Sequence, residues 1–168
     1  INCKEIDNLD PQSHYGENKI KIEKLIKNYT EKFIIYRISN LFQYDKFTPN
    51  TFFNILKNNY LSKEIKFDCN LESIRDFISI NSLSLALQQM FNLNKFGIYN
   101  IGSMYGLKII DILKIIFNDY SHLNIKIFDN SLKNKTLSIN KILSIIDYKN
   151  DYFHLQTLDE INKISFDL

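Results

Sequence analysis

The segment Ser13-His14-Tyr15-Gly16-Glu17-Asn18-Lys19 holds the residues of this chain best placed to move a proton. In a helix, Tyr15 and Lys19 stand four apart on one face. An ammonium beside a phenol favours the phenolate, and a phenol so tuned can exchange a proton with a sugar hydroxyl or a ketone near neutral pH. The same lysine could hydrogen-bond a cofactor's ribose. With 10 Tyr and 19 Lys in 168 residues, random placement yields about one such pair, so the pair takes its meaning from its surroundings. Two further residues stand out by rarity. Arg37 and Arg75 are the only arginines in a chain where Lys is the common cation, and a guanidinium offers a planar bidentate fork that an ammonium cannot imitate. Arg37 closes an apolar stretch and is expected to pair internally. Metal and nucleophile chemistry find no support: His14, His122 and His154 are scattered, with no HExxH, paired-cysteine or Ser-His-acid pattern. Gly102 to Lys108 has the outline of a phosphate loop, but its spacing fails the Walker pattern.

The elements that must position these groups alternate between strand and helix. Ser13 can cap a helix running to Tyr29, with Glu17 in its first turns and Ile22, Leu25, Ile26 and Tyr29 as its apolar residues. Phe33 to Ile38 reads as a buried strand, Asn40 to Asn50 as a loop and Thr51 to Tyr60 as a helix. Ile65 and Phe67 alternate with Lys66 and Asp68 as in a half-buried strand. Arg75 to Ile80 is a short strand, and a helix capped by Asn81 or Ser82 carries Leu83, Leu87, Met90 and Phe91. Phe96 to Ile101 is a strand ended by Gly102. Leu107 to Phe117 is a helix with Lys108, Asp111 and Lys114 on its wet face. Beyond Asn118 the pattern weakens, apart from a terminal helix over Leu158 to Ile164. This order predicts an α/β architecture with parallel pairing.

Composition narrows the class. The chain is 45% hydrophobic and 24% charged, which is ordinary for a single globular domain with a sizeable core. A net charge of +2 proposes neither nucleic acid nor anionic lipid as a partner. No apolar run is long enough for a membrane span. Cys3 and Cys69 are too few for a disulfide framework, and a reducing cytoplasm fits them. The 28 Ile, 21 Asn and 19 Lys against one Ala and no Val read as the mark of AT-rich codons. The start at Ile1, without an initiator Met or a secretory signal, reads as a piece of something longer.

The ordered series Pro11, Tyr15-Gly16-x-x-Lys19, Arg37-x-x-Asn40, Arg75-Asp76-Phe77-Ile78 and Tyr99-Asn100-Ile101-Gly102 resembles the NAD-dependent epimerase/dehydratase family, the extended short-chain dehydrogenase/reductases that modify nucleotide sugars. The resemblance covers residues from about 9 to 150. It implies the C-terminal part of a Rossmann-like parallel sheet plus a small mixed α/β substrate-binding domain. Residues 1–40 would end the dinucleotide-binding domain, and 41–168 would form mainly the nucleotide-sugar domain, interleaved with the last Rossmann strand. By the same resemblance Tyr15 would be the catalytic acid/base, and Lys19 would tune it and hold the nicotinamide ribose of NAD or NADP. Asn40, Arg75 and Asn100 would contact the nucleotide sugar, with Arg75 on its diphosphate. A homodimer through the Ser13 to Tyr29 helix and a part in surface polysaccharide biosynthesis are implied as well.

The sequence departs from the family pattern in four places. Gln43-Tyr44 replaces the family's Gly-Pro, so that loop is expected to be reshaped. The acidic residue usual after Arg-Asp-Phe-Ile is replaced around Asn81-Ser82. The glycine-rich dinucleotide turn is absent, and the Ser/Thr that polarises the substrate oxygen is expected upstream of Ile1. The main cofactor site is therefore expected outside these residues. The expected activity is that of a nucleotide-sugar epimerase, dehydratase or ketoreductase whose cofactor-binding half lies elsewhere. The alternative is a non-catalytic remnant or nucleotide-sugar-binding module. The isolated chain is expected to bind NAD negligibly and to fold poorly, because the Phe33 to Ile38 strand would be an exposed apolar edge.

Overall fold

The structure, a computed structural model, describes residues 2–47, 49, 51–91, 93–149 and 151–166. In chain order the elements are β1 (Asn2–Cys3), α1 (His14–Tyr29), β2 (Ile34–Ile38), β3 (Asn40–Phe42), α2 (Phe52–Leu61), β4 (Glu64–Phe67), β5 (Ile74–Arg75) and β6 (Phe77–Ser79). There follow α3 (Ile80–Phe91), β7 (Gly97–Ile101), β8 (Leu107–Lys108), α4 (Ile109–Phe117), β9 (Asn124–Ile127), β10 (Thr136–Leu137), α5 (Asn140–Leu143) and α6 (Tyr152–Ile161). Among the described residues, four of the five strand pairings are parallel: β1 with β10, β2 with β7, β3 with β6 and β4 with β9. β5 and β8 run antiparallel. The expected α/β architecture with parallel pairing is present.

Local chemistry explains most boundaries. Ser13 caps α1, its hydroxyl accepting from the Gly16 N–H at 3.2 Å, and Glu17 occupies the first turn. β2 and β7 pair with Ile35 opposite Ile98 and Ile38 opposite Ile101, so a strand from before residue 40 lies beside one from near residue 100. α4 presents Ile109 and Leu113 to a cluster with Leu56 and Ile65, while Ile112 joins Phe42, Phe53 and Phe77. The largest cluster joins Ile78, Ala86, Met90, Ile101, Ile139 and Phe153, all fully buried. α1 stands apart from these cores: it has no buried residue, and Leu25 and Tyr29 are exposed.

Several boundaries differ from the sequence expectation. The Asn40 to Asn50 loop begins with β3, a three-residue strand whose pairing with β6 comes from distant residues rather than from a local pattern. Arg75 to Ile80 divides at Asp76 into two strands, and α3 starts at Ile80. Ser79 takes the capping role, its hydroxyl accepting from the Ser82 N–H at 3.1 Å. Leu107 and Lys108 pair with β5 before α4 begins. α6 begins at Tyr152, six residues earlier than expected, and β9, β10 and α5 occupy the stretch where periodicity was weak.

Candidate active site

Asp76 sets the frame of the site. It separates β5 from β6 and is buried, its Oδ1 accepting from the N–H and hydroxyl of Ser103 at 2.8 and 2.7 Å. Its Oδ2 accepts from the Leu137 N–H at 2.9 Å. Burial pushes this carboxyl above its ordinary value, and the hydrogen bonds pull the other way. The glycines of the Gly102 to Lys108 segment serve this cage: a Cβ at Gly102 would stand 2.6 Å from Asp76 Oδ2, and Gly106 adopts φ +67° against Ile74 and Thr136. The Asp76 carboxylate thereby ties β6, the Gly102 loop and β10 together.

Arg75, one residue earlier, lines a cleft of about 800 Å³. Its Nη2 lies 3.5 Å from Cys69 Sγ, and among the described residues no carboxylate stands at ion-pair distance from it. It also borders a smaller pocket of about 180 Å³ walled by Phe52, Leu56, Ile65 and Phe67. Arg37 lines the same cleft, but its fork is already occupied. Its Nε and Nη2 donate to the two oxygens of Glu23 at 2.9 and 2.7 Å, and its Nη1 donates to the Glu5 carbonyl at 3.1 Å. This pair fastens α1 to β2, and it holds the Glu23 carboxyl below its ordinary value. Arg37 thus pairs internally, as its position at the strand end implies.

Tyr15 and Lys19 do share one side of α1: Lys19 Nζ lies 5.2 Å from the centre of the Tyr15 ring. Tyr15 is 72% exposed, and the cleft is lined by the residues just before it, Leu9, Asp10 and Gln12. Asn40 donates from Nδ2 to the Asp76 carbonyl at 2.8 Å and borders a recess of about 280 Å³. Asn100 is buried, and its Nδ2 donates to the carbonyls of Cys3 and Ser138 at 2.9 and 3.2 Å. Its side chain therefore secures the first strand against β10 as well as lining the cleft. Tyr44, in the loop that departs from the family pattern, packs towards the third core cluster with Lys163 Nζ 6.0 Å from its ring.

Two basic residues of the cleft escaped sequence reasoning. Lys133 and Lys135 sit in the strap before β10, and a bridge between Arg75 and Lys135 places that strap beside β5. Lys133 contacts Asp129 at 3.0 Å and the Asp68 carbonyl at 2.5 Å, and Asp129 raises its ammonium above the ordinary value. Nothing in the sequence marks these two among 19 lysines. Among the described residues, no three His, Cys, Asp or Glu side chains come together as metal ligands. Among the described residues, no helix is long and apolar enough to cross a membrane.

The profile of the NAD dependent epimerase/dehydratase family matches residues 3–102. The chain belongs to that family. No curated protein sequence matches it. Among solved structures, this family member is similar to UDP-N-acetylglucosamine 4-epimerase from Methanobrevibacter ruminantium in complex with UDP-N-acetylmuramic acid. The identity is 23% and the TM-score 0.74, over 96% of this chain and 56% of that one. It is also similar to UDP-glucuronic acid 4-epimerase from Bacillus cereus in complex with UDP-glucuronic acid and NAD, at 19% identity and a TM-score of 0.74, over 96% and 56%. A third is dTDP-glucose 4,6-dehydratase from Bacillus anthracis in complex with NAD, at 17% identity and a TM-score of 0.75, over 96% and 55%. At these identities the likeness is one of fold, the Rossmann-like α/β fold expected from the sequence. The epimerase/dehydratase chain spans a little over half the length of each of these structures.

Proposed function

We propose that this chain is the C-terminal, substrate-side portion of an NAD(P)-dependent nucleotide-sugar epimerase, dehydratase or ketoreductase. One observation carries the reading: Arg75 brings a guanidinium without a carboxylate partner among the described residues into a cleft bordered by Leu9 to Gln12. That segment leads directly into the Tyr15 and Lys19 helix. A diphosphate suits such a fork, because two parallel N–H groups meet two anionic oxygens. Lys135, in the same cleft, adds a second cation. The apolar pocket beside Arg75 suits the base of the nucleotide, with Phe52 and Phe67 in its wall. Asn40 borders the recess that adjoins the cleft, which supports assigning it a contact with the sugar. Asn100, held by two carbonyls, supports the floor on which it rests.

The residues present fit one end of the cofactor. Tyr15 and Lys19, adjacent on α1, suit the nicotinamide ribose. The four glycines of these 168 residues, Gly16, Gly97, Gly102 and Gly106, form no glycine-rich turn for the pyrophosphate. When bound, NAD or NADP would supply the hydride acceptor for a sugar carbon. Tyr15 Oη takes the proton of the hydroxyl on that carbon, and Lys19 supports the charge that the phenol oxygen carries. The exposed Leu25 and Tyr29 on α1 suit burial against the same helix of a second copy, which is our reading of a homodimer.

The test is calorimetric titration with UDP-glucose and UDP-glucuronic acid. Arg75→Lys is expected to weaken binding about tenfold or more although the charge is kept. Equal affinity of the two forms would refute the diphosphate assignment. The isolated chain is expected to bind NAD negligibly, and micromolar affinity would overturn the placing of the main cofactor site elsewhere.

A further inference from the structure

Three buried side-chain atoms of the described residues lack a hydrogen-bond partner: Ser39 Oγ, His154 Nδ1 and Gln156 Oε1. The last two belong to α6. Ser39 occupies a different kind of place, the point where the chain changes strand partners between β2 and β3. Its own N–H donates to the Ile101 carbonyl at 2.9 Å, and the Asn40 N–H donates to the Asp76 carbonyl at 3.1 Å. Both flanking peptides are thus held by backbone hydrogen bonds, while the hydroxyl between them has no partner. A buried hydroxyl in this state destabilises the fold, and native chains satisfy nearly all such groups.

Ser39 and Asn40 border the recess of about 280 Å³. Cys3, Lys135 and Leu137 line both this recess and the main cleft, so the one adjoins the other. Lys135 has no carboxylate at ion-pair distance among the described residues. A ligand held at Arg75 by its diphosphate would therefore reach, next to the cleft, a recess bordered by Ser39, Asn40 and Lys135. A serine hydroxyl both donates and accepts, as the hydroxyls of a sugar ring do.

We propose that Ser39 is a specificity-determining residue whose Oγ hydrogen-bonds a ring hydroxyl of the sugar that enters this recess. The assignment rests on the nucleotide-sugar reading above and adds the contact that senses the sugar rather than the nucleotide. It makes Ser39 a residue whose hydroxyl weakens the empty fold and strengthens the loaded one.

The experiment is Ser39→Ala in the protein at its natural length, read by thermal unfolding and by titration with UDP, UDP-glucose and UDP-glucuronic acid. The substituted protein is expected to melt without ligand at the same or a higher temperature and to bind UDP within twofold of the original. Its affinity for the better-bound UDP-sugar is expected to fall about tenfold, the equivalent of one hydrogen bond to a ligand. Ser39→Thr, which keeps the hydroxyl, is expected to retain more of that affinity than Ser39→Ala. A lower melting temperature without ligand would show an internal partner and overturn the proposal. So would an equal change for UDP and the UDP-sugar, or no change for either. An unsubstituted protein that binds UDP but gains nothing from the attached sugar overturns the proposal and spares the diphosphate assignment. One that binds none of the three overturns both.

Discussion

At Arg37 a carboxylate meets the guanidinium twice, through both oxygens of Glu23, whereas at Arg75 the nearest partner is the Cys69 sulfur at 3.5 Å and the rest of the fork faces a cleft. The residue type is the same, and its rarity in the sequence marks both positions equally. The neighbours separate them. A carboxylate satisfies both the charge and the geometry of the fork, leaving an arginine that fastens α1 to β2. A sulfur is a weak acceptor without a formal charge, so it orients the guanidinium while leaving its demand for an anion unmet. An arginine's role thus follows from what its neighbours leave unsatisfied.

The contrast can be broken most forcefully from the Arg37 side. Arg37→Ala strands the Glu23 carboxylate, and denaturant unfolding should show a loss of about 3 kcal/mol, the range for removing one member of a largely buried pair. UDP affinity of the folded fraction should stay the same, because Glu23 already occupies the Arg37 fork although both arginines line the cleft, and a large drop would mean that Arg37 also reads the ligand. Next in size, Cys69→Asp gives Arg75 the kind of partner that Arg37 already has. Calorimetry should show UDP binding weakened by about tenfold or more, while undiminished binding would mean that the Arg75 charge is not what the ligand reads. The smallest effect is a pH dependence. The Glu23 carboxyl lies below its ordinary value in the folded protein, so its stabilisation is present above about pH 4.5 and is lost as the pH falls through the folded value. Asp76, raised by burial, acts with the opposite sign. The Glu23 contribution is therefore read as the difference between the original protein and Glu23→Gln, a difference that should shrink on acidification.

The parts legible in the sequence were those with a local signature. Ser13 capping α1, the strand at β2 and the isoleucine face of α4 follow from spacing alone, although of β2 only Ile35 is buried where a buried strand is expected. β3 and β10 did not, because strands of two or three residues exist only through partners far along the chain, Phe77 to Ser79 for one and Asn2 to Cys3 for the other. The candidate site divides in the same way. Tyr15, Lys19, Asn40 and Arg75 lie in ordered motifs, while Lys133 and Lys135 become part of the cleft only when the strap carrying them lies beside β5. Ser39 carries no local mark, because a missing hydrogen-bond partner is a property of three dimensions.

Glu160 gives the missing acidic residue near Asn81 and Ser82 an unexpected answer. The carboxylate arrives from α6, accepting from the Ser79 hydroxyl at 2.6 Å and from Asn81 Nδ2 at 3.2 Å. A charge that could have been encoded beside the strand is encoded about eighty positions downstream, which alters the timetable of synthesis. While the ribosome is still making the intervening residues, the end of the strand that follows Arg75 and Asp76 waits with its polar groups facing water. The edge that follows Arg75 and Asp76 is completed only when a helix encoded about eighty residues later packs against it.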